Sequence, residues 1–175
     1  DVKAFEKQMK AHQDLSRKGA EQKFKGGLAD QGEATTKLHT ATHLLQAALQ
    51  KVLGDHVAQK GSNITAERLR FDFVHSEKMT DEEKQKVEEL VNGWISKDIK
   101  VECEELPYDQ AKERGVIGLF EDKYGDVVKV FSIKDVSAEM CGGPHVQKTG
   151  ELGHFRIKKE ESSSSGIRRI KAVLE

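Results

Sequence analysis

Between Leu38 and Leu53 apolar residues recur at three- and four-residue spacings (Leu38, Ala41, Leu44, Leu45, Ala48, Leu49, Val52, Leu53), and the run stops at Gly54. That period belongs to a helix, and a glycine just past the last turn is the usual C′ residue. Two histidines ride on it, His39 and His43. Four residues apart, their side chains are neighbours on one helix face and can share one ion. Much later the pairing recurs in Cys141-Gly142-Gly143-Pro144-His145. Gly-Gly-Pro is first too flexible and then too stiff for a helix, so Cys141 and His145 belong to a tight loop. If both pairs serve one site, a helix near the start and a loop near the end must meet. No other feature restricts the fold as much.

Three imidazoles and a thiolate form a borderline-soft tetrahedral set, the donor set of Zn2+. A lone histidine is better read as a side chain satisfying a local hydrogen bond. Two spaced pairs in a chain with 7 His and 2 Cys outweigh that reading. A metalloprotease would need Glu directly after the first histidine as general base, and position 40 is Thr.

Composition narrows the setting. The chain has 175 residues, enough for one well-buried domain plus an extension. Its formal net charge of −1 gives no global basic field, so a nucleic acid must be met by a local patch. Two cysteines, Cys103 and Cys141, make no secreted disulfide framework. No apolar run approaches a membrane span and no signal-like start is present, so the expectation is a cytoplasmic protein with no membrane partner. A start at Asp1 without initiator Met suggests a piece of a longer protein.

Residues 1–33 read as a helical spacer and linker: Phe5, Met9, His12 and Leu15 keep helical spacing, then Gly26-Gly27 breaks it. Residues 34–175 read as one domain, with Thr35 or Thr36 capping the histidine helix. Asp55–Thr65 reads as a loop in which Gly61, among small polar residues, lets the backbone approach a ligand. Leu69, Phe71 and Phe73 alternate with Arg70 and Asp72 as a half-buried strand. Thr80-Asp81-Glu82-Glu83 is a capping box opening a second helix with Val87, Leu90, Val91, Trp94 and Ile95 on its core face. Ile99, Val101 and Cys103 alternate in another strand, which places Cys103 on an apolar face as a packed thiol. A short helical piece runs from Pro107 to Gly115, followed by a β run at Val127–Ile133. Strands Phe155–Lys159 and Ile167–Leu174 flank a polar turn of four serines and Gly166. This order predicts an α+β fold: a mostly antiparallel sheet, helices on one face, and the zinc site between a helix and a loop.

At these residues the chain resembles the editing domain of alanyl-tRNA synthetase, and is similar to free-standing alanyl-tRNA deacylases and, more distantly, to the threonyl-tRNA synthetase editing domain. The matching stretches are Leu38–Leu45, Gln59–Ser62, Leu69–Phe73, Cys141–Val146 and Gly166–Ile170, in the family's order. Pro144 departs from many alanyl enzymes, which have Thr there, and Gly-Pro-His-Val is also typical of threonyl enzymes; Leu69–Phe73 and Gly115–Tyr124 are alanyl-type.

The resemblance implies a hydrolase that removes wrongly attached serine or glycine from alanine tRNA. The need for one has a physical basis. A pocket sized for alanine cannot exclude glycine, nor strongly reject serine, which only adds a hydroxyl. A second site that hydrogen-bonds that hydroxyl discriminates far better. Thr42, three residues after His39, offers such a hydroxyl, and the family's motifs match Thr42 and Gln59 to positions facing the amino acid and the ester. Zinc's role stays open: with one position free it can activate water, and with His39, His43, Cys141 and His145 all engaged it holds and orders the site. Cys141 as an acyl nucleophile is the other possibility, at the cost of the thiolate ligand. Lys60, Arg168 and Arg169 are the candidate contacts to the tRNA end, although Arg168 and Arg169 point to opposite faces of a strand. The aminoacylation domain of a parent synthetase is the other expected partner. Two alternatives stand beside this reading: a threonyl-type editing domain clearing seryl-tRNA, and a non-catalytic zinc-stabilised module that binds tRNA.

Overall fold

The structure, a computed structural model, describes residues 8, 10, 28–30, 32–116 and 127–175. Most of the expected spacer helix and linker, and much of the alanyl-type stretch Gly115–Tyr124, lie outside the described residues.

The fold is α+β with antiparallel sheets. Helix α1 (Glu33–Leu53) leads into β1 (Gln59–Ile64) and β2 (Leu69–Val74), followed by α2 (Asp81–Ser96), β3 (Val101–Pro107) and α3 (Tyr108–Glu113). Next come β4 (Val127–Ile133), β5 (Ser137–Met140), a 3-10 turn at Thr149–Leu152, β6 (Phe155–Ser164) and β7 (Ile167–Leu174). The strands form two sheets, one ordered β1-β2-β7-β6 and the other β3-β4-β5.

Helix α1 is central because it is buried on every side: each residue from Leu38 to Leu49 is buried. A helix with only one apolar stripe would leave the other side in water. Here Ala41, Leu44, Leu45, Ala48 and Leu49 share the core with Leu69, Phe71 and Phe73 of β2, Ile170 and Ala172 of β7, and Val87 and Val91 of α2. The polar residues Thr40, Thr42, His39, His43 and Gln46 are buried with it, and buried polar groups are stable only when partnered. That requirement organises the site. The β3-β4-β5 sheet has a smaller cluster of its own: Leu106, Ala111, Val128, Val130 and Met140.

Several local expectations are corrected. Helix α1 begins at Glu33 with Gly32 as N-cap and no side-chain cap bond, so Thr35 and Thr36 lie inside the helix. The stretch read as a loop to Thr65 contains β1, which pairs with β2 through a bulge between Gln59 and Gly61. Cys103 is exposed, not packed. It lies on β3, an edge strand whose one strand neighbour among the described residues is β4, where residues 102–105 all face water. Most of the serine run belongs to β6, and Gly166, at φ 73°, carries the reversal into β7. The Thr80–Glu83 capping box is present in both directions, at 3.1 and 2.9 Å.

Candidate metal centre

Two anchors fix the loop after β5, one to β4 and one to α1. The Cys141 N–H donates to Lys129 O at 3.0 Å, and the Val146 N–H donates to Thr40 Oγ1 at 3.1 Å. Gly143 lies against the His39 ring so closely that a Cβ there would collide with Cε1 and sit 2.9 Å from Nδ1. The loop therefore needs glycine at that point for steric reasons. With the loop so placed, one donor atom each from His39, His43, Cys141 and His145 lies within 4.8 Å of every other. The Cys141 Sγ to His39 Nε2 edge is 3.4 Å; a tetrahedral zinc site has edges of roughly 3.3–3.6 Å given its bond lengths.

Each imidazole is held at Nδ1 by a different partner. His39 Nδ1 is 2.9 Å from Pro144 O, His43 Nδ1 is 2.8 Å from Glu139 Oε2, and His145 Nδ1 is 2.9 Å from Thr40 Oγ1. Nδ1 held from outside leaves Nε2 free to ligate, the arrangement found at metal-binding histidines generally. His145 Nε2 is buried and bonds no nitrogen or oxygen among the described residues; its neighbour is the Cys141 sulfur. A buried ring nitrogen facing the Cys141 sulfur and two other imidazoles fits a bound cation. His39 and His145 stack with centroids 4.3 Å apart, and Phe131 of β4 backs His145 at 4.2 Å.

The electrostatics agree. Burial pushes the Cys141 thiol up, but the surrounding His145, His39 and His43 override it and hold the thiol down at about 3, a thiolate. Burial works against charge on His43, yet the Glu139 carboxylate and Cys141 raise it to about 10. Burial holds His145 down at about 4, against the pull of Cys141. The site thus presents a thiolate and a neutral His145 at neutral pH, and His43 carries a proton that a cation would displace.

The other expected site residues are more scattered. Thr42 is buried and its hydroxyl donates to Leu38 O at 2.9 Å, so towards a substrate it can only accept. Gln59 is half-buried on β1, and Lys60 is exposed at the bulge, the kind of irregularity that re-aims a side chain. Arg168 and Arg169 do point to opposite faces of β7. Arg168 pairs with Glu160, whose side chain is wholly buried. Arg169 grips Asp72 with two bonds at 2.8 and 3.1 Å. Glu139 and Thr40 were not foreseen from sequence. Glu139 had a signal: in an extended run it shares a face with Cys141 two residues on. Thr40 had none beyond its place between the histidines.

Residues 128–171 match the family described as the threonyl and alanyl tRNA synthetase second additional domain. That stretch carries Cys141 and His145 of the centre and is of a kind found in those synthetases. Within that class the match is to the alanyl branch. The chain is 64% identical to an alanine–tRNA ligase of Treponema denticola over 98% of its length and 28% of the relative's. It is 61% identical to that of Borreliella burgdorferi (99% and 29%) and 55% identical to that of Thermotoga maritima (81% and 16%). The chain belongs to the alanyl-tRNA synthetase family, as a domain of its editing region, and spans less than a third of each of these relatives. No helix among the described residues is long and apolar enough to cross a membrane.

Proposed function

We propose that this domain hydrolyses the ester of mischarged alanine tRNA, releasing serine or glycine, and that zinc bound by His39, His43, Cys141 and His145 is required. The observation that carries the reading is the convergence of these four donors on buried α1, each imidazole fixed at Nδ1, in a chain of the alanyl-tRNA synthetase family. Zinc there would supply Lewis acidity towards the ester carbonyl. The chain's own residues do the rest. Cys141 offers its thiolate without giving up a proton at neutral pH. Thr42, one residue before His43, accepts a hydrogen bond from a seryl hydroxyl with a lone pair that its bond to Leu38 O leaves free. Gln59 faces the ester, and Lys60, with Arg168 and Arg169, holds the acceptor end of the tRNA in a cytoplasmic protein-synthesis setting. Each guanidinium is already engaged by a carboxylate, whereas Lys60 meets none among the described residues.

The test is deacylation of seryl-, glycyl- and alanyl-tRNA by the zinc-replete protein, before and after chelation. Seryl- and glycyl-tRNA should be cleaved and alanyl-tRNA spared, with activity lost on chelation. Cleavage of no ester by zinc-replete protein would leave the alternative of a zinc-stabilised binding module. A second arm uses Thr42→Val, which should cut seryl relative to alanyl cleavage by about 1–3 kcal/mol while zinc content is retained.

A further inference from the structure

We infer that Thr40 is a positioning residue: its hydroxyl fixes the tautomer of His145 and so presents Nε2, and not an N–H, to the ligand group. The inference rests on the reading that this group binds a divalent cation, and it assigns to Thr40 a task distinct from that of any ligand.

The geometry permits few arrangements. Thr40 is fully buried. Three polar groups lie around its oxygen: Val146 N at 3.1 Å, His145 Nδ1 at 2.9 Å and Thr36 O at 3.3 Å. A hydroxyl has one proton and two acceptor lone pairs. The Val146 amide can only donate, so it occupies one lone pair. The Thr36 carbonyl can only accept. If the hydroxyl proton goes to Thr36 O, the second lone pair takes a proton from His145 Nδ1, and all the groups are satisfied. If the proton goes instead to Nδ1, the His145 proton must sit on Nε2. An N–H there would face the Cys141 sulfur and leave no ring lone pair for a cation, and Thr36 O would lose the hydroxyl proton. The first arrangement therefore holds, and it leaves the Nε2 lone pair aimed into the group.

Thr40 differs in kind from the other two fixing groups. Pro144 O can only accept, so it dictates the tautomer of His39 outright, and Glu139 holds His43 at Nδ1. A hydroxyl can do either. It acts as an acceptor here because α1 supplies Thr36 O one turn earlier and the Cys141–His145 loop supplies the Val146 N–H. One side chain thus ties the helix backbone, the loop backbone and a ligand ring into a single hydrogen-bond chain.

The test measures cobalt(II) and zinc affinity by chelator competition, with no activity assay, together with 15N NMR of the imidazoles. In the unmutated protein His145 should carry its proton on Nδ1, with and without metal. Thr40→Val should weaken metal binding by about tenfold or more and alter the cobalt absorption bands, while Thr40→Ser stays within about threefold of the parent. In a His145→Ala background Thr40→Val should cost little further affinity, because the effect passes through that ring. The inference is overturned by Thr40→Val binding metal as the parent does, or losing as much affinity with His145 absent. Should Thr40→Val not fold, an Nε2–H signal for His145 in the unmutated protein overturns it alone. Should the unmutated protein take up no divalent metal, the metal reading falls, and the NMR of the metal-free protein still decides the tautomer.

Discussion

At the scale of single residues, the cluster of His39, His43, Cys141 and His145 was legible because residue type and spacing carry it: His-x-x-x-His on a helical period and Cys-x-x-x-His across Gly-Gly-Pro. The groups that orient them were not, because a carbonyl at 144, a hydroxyl at 40 and a carboxylate at 139 gain meaning only once the loop lies on α1. Gly143 shows the difference. In sequence it is one of two loop glycines, yet an added Cβ would meet the His39 ring, whereas at Gly142 it would meet nothing within 4 Å. Gly143→Ala should therefore reduce zinc affinity by about tenfold or more, with Gly142→Ala near neutral, in chelator competition. The proton inventory gives a second expectation. Cys141, held at about 3, is already a thiolate, and His145, at about 4, is already neutral, so neither loses a proton to an incoming cation. His43, raised to about 10, must lose one. Between about pH 7 and 9 zinc affinity should fall tenfold for each unit of acidification, a slope of one. A slope of two would mean that Cys141 enters as a thiol. In the metal-free protein the signs oppose each other. The depressed Cys141 adds stability above its ordinary 9.0, which drains away as pH falls towards 3. The raised His43 adds stability below 6.5, lost as pH rises through about 10.

At the scale of elements, α2 and β2 were readable in sequence from their periods, with Val87, Val91, Trp94 and Ile95 inside and Leu69, Phe71 and Phe73 inside. Asp72, expected on the open face, is nonetheless buried too, where Arg169 holds it. β1 was not, since Gln-Lys-Gly-Ser-Asn-Ile has no apolar alternation and is a strand only through its pairing with β2. The misplacement of Cys103 has the same origin: alternation was visible, but which face would be covered depended on β3 lying at an edge. Pairing also sorts the basic residues. Removing Arg168 strands the Glu160 carboxylate in the interior. Arg168→Ala should therefore destabilise the domain by about 3 kcal/mol or more in denaturant unfolding. Lys60→Ala should leave stability unchanged and reduce the salt dependence of tRNA binding by about one unit in log–log slope. An Arg168→Ala protein as stable as the parent would show that the pair contributes nothing.

At the scale of the whole molecule, the α+β class was legible from the order of elements, but the division of strands into two sheets was not. The pairing of β2 with β7 joins residues 69–74 to 167–172, far apart in the chain, and no local pattern encodes such a partner. The centre bridges the two halves, since His39 and His43 come from the helix behind the four-stranded sheet, and Cys141 and His145 follow the three-stranded one. Chelation should therefore speed hydrogen exchange at Cys141 and Val146 while the β2–β7 amides keep their protection; uniform loss of protection would mean that the ion supports the whole fold. The interior place of β7 also bears on synthesis. On the ribosome β3 meets β4 and β4 meets β5 as each emerges, because these neighbours are close in sequence. The other sheet has to wait. β2 keeps one edge bare until Ile167–Leu174 appears, and the apolar face of the same strand carries Leu69, Phe71 and Phe73. The nascent domain thus passes through a period when its most apolar strand is half paired, the interval in which a chaperone has most to protect.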